Sequence, residues 1–136
     1  MGTELTTQCS CGAENKVYIG SSRAMHGKVF DFPHYCASCR SVITIDKLSG
    51  DIRCGVCGST DVHSYEMPTK TLGVFSFFNR YSPELLRFFG YHTHEEVFHD
   101  SFCYVLKKSF PIKHGTHYCP KCGENKMNFF VSLLYD

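Results

Sequence analysis

The chain has no tryptophan, only five prolines in 136 residues, and no excess of either charge, with 14 Lys+Arg against 13 Asp+Glu. No apolar run approaches the roughly 18 residues that a membrane span needs, so no spanning helix is expected. The amino terminus, MGTELTTQ, is polar and lacks an apolar core segment, so no secretory signal is expected and the chain reads as cytoplasmic. Basic residues never run together beyond Lys107-Lys108, whereas nucleic-acid binders draw affinity largely from a basic stripe that neutralises phosphates. No Ser/His/Asp or Cys/His arrangement has a catalytic motif behind it, and no segment is of low complexity. These gaps leave little room for an enzyme or a membrane protein.

What the chain does have is cysteine: nine in all, an odd number, with no export signal. A reducing compartment disfavours a disulfide framework, and clustered cysteines there more often bind metal. Eight of the nine fall into four close pairs: Cys9 with Cys11, Cys36 with Cys39, Cys54 with Cys57, and Cys119 with Cys122. Two cysteines on one tight turn can aim both sulfurs into a small volume. A following glycine lets the chain turn away through positive φ. Backbone N–H groups of the turn can then support the thiolates. Cys11-Gly12, Cys57-Gly58 and Cys122-Gly123 fit that description; Cys39-Arg40 lacks the glycine. Four pairs make two four-cysteine sites, the donor set of structural zinc, whose closed tetrahedron leaves no position for substrate.

The stretch HYCASCRSVITIDKLSGDIRCGVCGSTDVHSY, residues 34–65, holds a knuckle, the β-branched run Val42-Ile43-Thr44-Ile45, a Ser49-Gly50 turn and a second knuckle. It resembles the zinc-ribbon group, in which two knuckles at hairpin tips clamp one zinc. With its CxC first knuckle and its CPxCG near the end, the chain also resembles small bacterial and phage-type zinc-ribbon proteins of unassigned role. The resemblance implies metal and fold, and no activity. CGVCG and CPKCG each resemble rubredoxin knuckles, which hold a redox-active iron; this makes electron transfer an alternative, although the two lie far apart in the chain.

The pairing of knuckles is open. Sequential pairing places Cys9, Cys11, Cys36 and Cys39 on one ion and Cys54, Cys57, Cys119 and Cys122 on the other. Nested pairing joins the middle two knuckles and closes the first onto the last; interleaved pairing alternates them. KVYIG (16–20) and KVFDF (28–32) read as strands of a hairpin between the first two knuckles, and loop closure grows costlier only slowly with length. We therefore expect sequential pairing ahead of nested. The phrase CGAENK after the first knuckle returns as CGENK after the last. It does not decide the matter, because each knuckle precedes a strand in any scheme.

Residues 68–117 hold eight of the twelve phenylalanines and no cysteine pair. TLGVFSFF (71–78) reads as a strand. Ser82-Pro83-Glu84 reads as a helix start and Gly90 as its stop. Thr93 with Glu96 reads as a capping box leading into Phe98, Phe102, Val105 and Leu106 at helical spacing, although FCYVL would equally suit a strand. These rings are expected to supply a core that ribbons cannot build alone. HTHEEVFH (92–99) is not a zincin helix: His94 and His99 are five apart, about 140° round a helix at about 100° per residue. His117 beside the last knuckle is a candidate support for the metal ligands, and Cys103 reads as a small buried hydrophobe.

The expected architecture is thus a small metal-stabilised α+β fold: two four-cysteine zinc ribbons of antiparallel hairpins with a short helical Phe-rich insert. Residues 1–66 carry the first three knuckles, 67–117 the insert, and 118–136 the last knuckle and the strand completing the second site, all in one compact unit. Two divalent ions and eight thiolates would take the formal charge from +1 to about −3. Such a protein is expected to be non-enzymatic, to hold two zinc ions, and to bind a protein partner ahead of nucleic acid. The 21–27 turn SSRAMHG is the expected contact. A local basic patch of Arg23, Lys28, Arg40 and Arg53 is the nucleic-acid alternative.

Overall fold

The computed structural model describes residues 2–67 and 97–135. Among the described residues nine strands form two sheets. The chain opens with β1 (Gly2–Cys9) and β2 (Glu14–Gly20), where period-two patterning places one face inward. Leu5, Thr7 and Val17 are fully buried and Ile19 nearly so, while Gln8, Lys16 and Tyr18 between them are exposed. After a 3-10 turn at Arg23–Met25 come β3 (Asp31–Cys36), β4 (Ser41–Asp46) and β5 (Val62–Ser64). The carboxy-terminal half supplies β6 (Val97–Cys103), β7 (Lys108–Lys113), β8 (His117–Tyr118) and the long β9 (Asn125–Tyr135).

The larger sheet runs β4-β3-β2-β1-β9-β8, every pair antiparallel, and curls into a half-barrel. β2 touches β3 only at Gly20–Asp31, and β5 takes over that edge of β3 from His34 to Cys36. The chain ends meet in the middle: β1 pairs with β9 from Gly2–Tyr135 to Cys9–Met127. Hairpin β6–β7 packs against this sheet, and Phe110 meets Phe30 at 5.1 Å and Phe32 at 5.6 Å between ring centroids. Phe110, Ile112 and Cys103 thereby join Leu5, Val17, Ile19, Met127 and Phe129 in one core. Each such large side chain removed from water contributes about 1.5–3 kcal/mol. Glu66 closes the rim of this seam, accepting from Lys108 at 2.6 Å while Lys108 lies over the Phe110 ring at 5.0 Å. Met67 N–H donates to Pro111 O at 2.8 Å.

The α+β expectation is overturned. The protein is nearly all β, and among the described residues the only helical piece is the 3-10 turn. Phe98, Phe102, Val105 and Leu106, spaced as for a helix, lie instead on β6 and the turn after it. As a helix they would need one shared buried face, yet Phe102, Val105 and Leu106 are exposed while Cys103 is buried. Pairing with β7, Ser101 opposite Phe110, satisfies the backbone instead. The expected strand 71–78, the helix starts at Ser82 and Thr93, the stop at Gly90, and His92 and His94 lie outside the described residues.

The expected hairpin between the first two knuckles is also corrected. KVYIG lies in β2, but β2 pairs along its length with β1, and the knuckles sit at hairpin tips. Among the described residues no helix is long and apolar enough to cross a membrane.

Candidate metal centres

Three knuckles are built alike. Gly12 N–H donates to Cys9 O at 3.0 Å, Gly58 N–H to Cys54 O at 2.9 Å, and Gly123 N–H to Cys119 O at 2.8 Å. The first cysteine of each also donates its N–H forward across the turn, Cys9 to Ala13 O, Cys54 to Ser59 O and Cys119 to Glu124 O. The residue after the second cysteine is left-handed in all four knuckles: Gly12 at φ 89°, Gly58 at 72°, Gly123 at 75° and Arg40 at 55°. The knuckle that lacks glycine thus makes the same turn, and its Arg40 bears the strain of a β-carbon there.

The sheet order decides which tips meet. The first knuckle is the tip of β1–β2 and the last is the tip of β8–β9; because β1 and β9 are neighbours in register, the two tips stand side by side. Cys9 Sγ lies 3.7 Å from Cys122 Sγ, and Cys11 Sγ 3.8 Å from Cys119 Sγ. We call this the terminal centre. The middle knuckles meet because β5, which follows Cys57, pairs with β3, which ends at Cys36. Cys36 and Cys57 sulfurs are 3.5 Å apart, as are those of Cys39 and Cys54. Ser38 and Ser59 hydroxyls bond at 2.8 Å across these turns, and Val56 N–H donates to Cys54 Sγ at 3.4 Å. We call this the central centre.

In each group the four sulfurs lie within 4.8 Å of one another, so each could hold a metal ion. A tetrahedron of sulfurs about 2.3 Å from an ion has edges of about 3.8 Å. A disulfide would need sulfurs about 2.05 Å apart; all nine cysteines are free.

The pairing is nested, and sequential pairing is corrected. Cys9 and Cys11 join Cys119 and Cys122, while Cys36 and Cys39 join Cys54 and Cys57. The two CG-ENK knuckles form matching turns, lead into β2 and β9 on either side of β1, and belong to one centre, a pairing the repeated phrase alone did not decide. The rubredoxin-like combination of CGVCG with CPKCG does not form, since those knuckles serve different centres.

The thiols are poised for a cation. The Cys11 backbone N–H, with the neighbouring thiols, pulls Cys9 down to about 7, and the Cys39 N–H does the same for Cys36. Ser59 N–H favours the Cys57 thiolate, yet burial and the other three sulfurs outweigh it and push this thiol up to about 12. Cys122, facing Glu124 N–H, is likewise pushed up to about 11 by burial and its three neighbours. Without an ion, then, one thiolate forms readily and the last proton is held hard. A divalent cation removes the repulsion that holds it.

An aromatic bridge joins the centres. Tyr35 precedes Cys36 and Tyr118 precedes Cys119, and their rings meet at 4.9 Å. Tyr35 stacks on His63 at 5.0 Å, and Tyr65 Oη donates to Tyr118 O at 2.8 Å. His117 packs edge-on against Phe129 and donates through Nε2 to Lys113 O at 2.8 Å, so its ring is held by the β7 end and the β9 core. Cys103 is buried in the core. Sequence reasoning passed over His34, which is buried beside the central centre and donates Nδ1–H to Phe32 O at 2.9 Å. Burial pulls it down to about 4, so it stays neutral. No family model matches this chain, and no curated protein or solved structure matches it.

Proposed function

We propose that the protein is a non-enzymatic binding module, held in shape by two structural zinc ions, that docks a protein partner through its 21–27 turn and the tip of the β6–β7 hairpin. Four thiolates fill all four positions of a tetrahedral ion, which leaves no site for a substrate or an activated water. Soft thiolate sets suit zinc, and the tight N–H-braced knuckles support a closed structural site.

The observation that carries the docking surface is a group of exposed apolar side chains on the β6–β7 tip and the 21–27 turn, which meet at His26 and Tyr104. Tyr104 is 69% exposed and Val105 54%, beside exposed Phe102, Leu106 and Met25. The rings of His26 and Tyr104 lie 5.6 Å apart. Between them opens a cleft of about 240 Å3 floored by Phe30 and walled by Ser21, His26, Asp100 and Tyr104. Exposed aromatic side chains beside a cleft are the anchors that protein interfaces concentrate.

The test is a variant with Met25, Tyr104 and Leu106 all changed to serine. It should keep two zinc ions per chain and its thermal midpoint while losing capture of the partner from the source cell. Undiminished capture overturns the surface. Native protein that emerges red, with iron in place of zinc, overturns the metal assignment.

A further inference from the structure

A second cleft, of about 280 Å3, lies between the two metal centres. Its walls come from both: the first-knuckle turn with Glu14 and Asn15, then Arg40 and Ser41, then Pro120 and Lys121 of the last knuckle. Arg40 and Lys121 are exposed, and neither has an ion-pair partner among the described residues. Arg40 is also the residue that holds the left-handed knuckle position where the other three knuckles have glycine. Glycine would take that position without strain. Strained residues kept against an easier alternative concentrate at functional sites. Two observations therefore meet at one place, a cleft between knuckles and a strained arginine on its wall.

We propose that this cleft seats phosphate groups of single-stranded nucleic acid. The Arg40 guanidinium offers a planar fork to phosphate oxygens, and Lys121 offers a second cation. Asn15 also lines the cleft, and its amide is a further donor. A strand fits better than a free ion because Tyr118, 37% exposed, immediately precedes Cys119 on the cleft wall. Tyr118 meets Tyr35, and Tyr35 stacks on exposed His63; in this proposal the bases of the strand reach that row of rings while its phosphates sit in the cleft. Glu14 and the thiolates oppose an anion here, which keeps the affinity moderate and dependent on both cations. The metals hold the three turns together, so the seat exists only in the metal-loaded protein. This site is separate from the Met25–Tyr104 surface.

The test uses the zinc-loaded full chain and a short fluorescent oligothymidine at low salt. Binding should fall with salt at a slope near −1.4 in log–log form, from two phosphates at about 0.7 each. Arg40→Gly and Lys121→Gln should each weaken it about tenfold, with Arg40→Lys in between. Zinc content should stay at two in every variant. Arg40→Gly should keep or raise the thermal midpoint while losing affinity, a split that a purely structural cation would not produce. The Met25/Tyr104/Leu106 serine variant should bind the oligomer unchanged, which separates this site from the docking surface. No oligothymidine binding by the wild type, or binding indifferent to both cations, overturns the proposal. Binding of inorganic phosphate or a phosphopeptide in place of the oligomer overturns the strand assignment.

Discussion

The two centres use the same four donors and do different work. The central centre closes a short loop: its outer ligands Cys36 and Cys57 are 21 positions apart, and two of its four cysteines are buried. The terminal centre joins Cys9 to Cys122 across 113 positions, with only Cys119 buried and both Cys11 and Cys122 exposed. One organises a local unit of β3, β4 and β5. The other is a clasp on chain ends that the β1–β9 ladder already brings together. Identical chemistry can thus serve as a folding staple or as a surface clasp, according to what else holds its ligands.

The most severe way to break this comparison is to remove one ligand from each centre. Structural zinc is worth about 10–16 kcal/mol in apparent binding to finger peptides, so losing either ion should be costly. Cys36→Ser should unfold the β3–β5 unit, whereas Cys119→Ser should leave the β1–β9 ladder paired and one zinc bound. Native mass spectrometry with hydrogen exchange reads both outcomes. If both variants lose both ions and the same protection, the centres are not the distinct units described.

Chelation sharpens the contrast next. A mild chelator should strip the terminal centre first, through a one-zinc species, because Cys11 and Cys122 face solvent. Alkylation mapped by peptide mass should then mark Cys9, Cys11, Cys119 and Cys122 ahead of the middle four. Simultaneous labelling of all eight would contradict this order.

Acid should act on both centres alike. Cys9 and Cys36 are depressed to about 7, so the stability their thiolates contribute is full above the ordinary thiol value and is lost as pH falls through about 7. Cys57 and Cys122, held near 12 and 11, must surrender protons to the ion. Zinc binding near pH 8 should therefore release protons, at least the one held on Cys57 or Cys122 at each site, and weaken steeply below pH 7. A weakly buffered titration that counts released protons checks this, and proton release near zero would refute it.

The smallest effect lies within one turn. Arg40→Gly should stabilise by up to about 1 kcal/mol, and Gly58→Ala should destabilise by about the same amount. A β-carbon at Gly58 meets open space, so only the backbone term changes there. Denaturant midpoints of the two variants should move in opposite directions.

Much of the candidate site was legible in the chain. Close spacing names the ligands, because two sulfurs on one turn cannot avoid sharing a volume. Alternation in GTELTTQC and NKVYIG marks β1 and β2, since a strand with one buried face shows period two. The Phe98–Leu106 stretch was misleading because apolar residues at short spacing satisfy both periods, and only the partner β7 chooses between them. The pairing of knuckles was hidden for a related reason. Closure entropy changes slowly with length and scarcely separates sequential from nested, and the KVYIG–KVFDF hairpin that favoured sequential pairing is replaced by the β1–β2 pair.

Which side chains can grip an ion is a property of residue type and spacing, and the linear chain settles it. Which knuckles face each other depends on strand order, and strand order is set by what packs where. Placing β9 beside β1 buries Met127 and Phe129 with Leu5 and Val17, and it carries the first and last cysteine turns to one place. The chain thus names eight candidate ligands by itself. Only the folded sheet divides them into two fours.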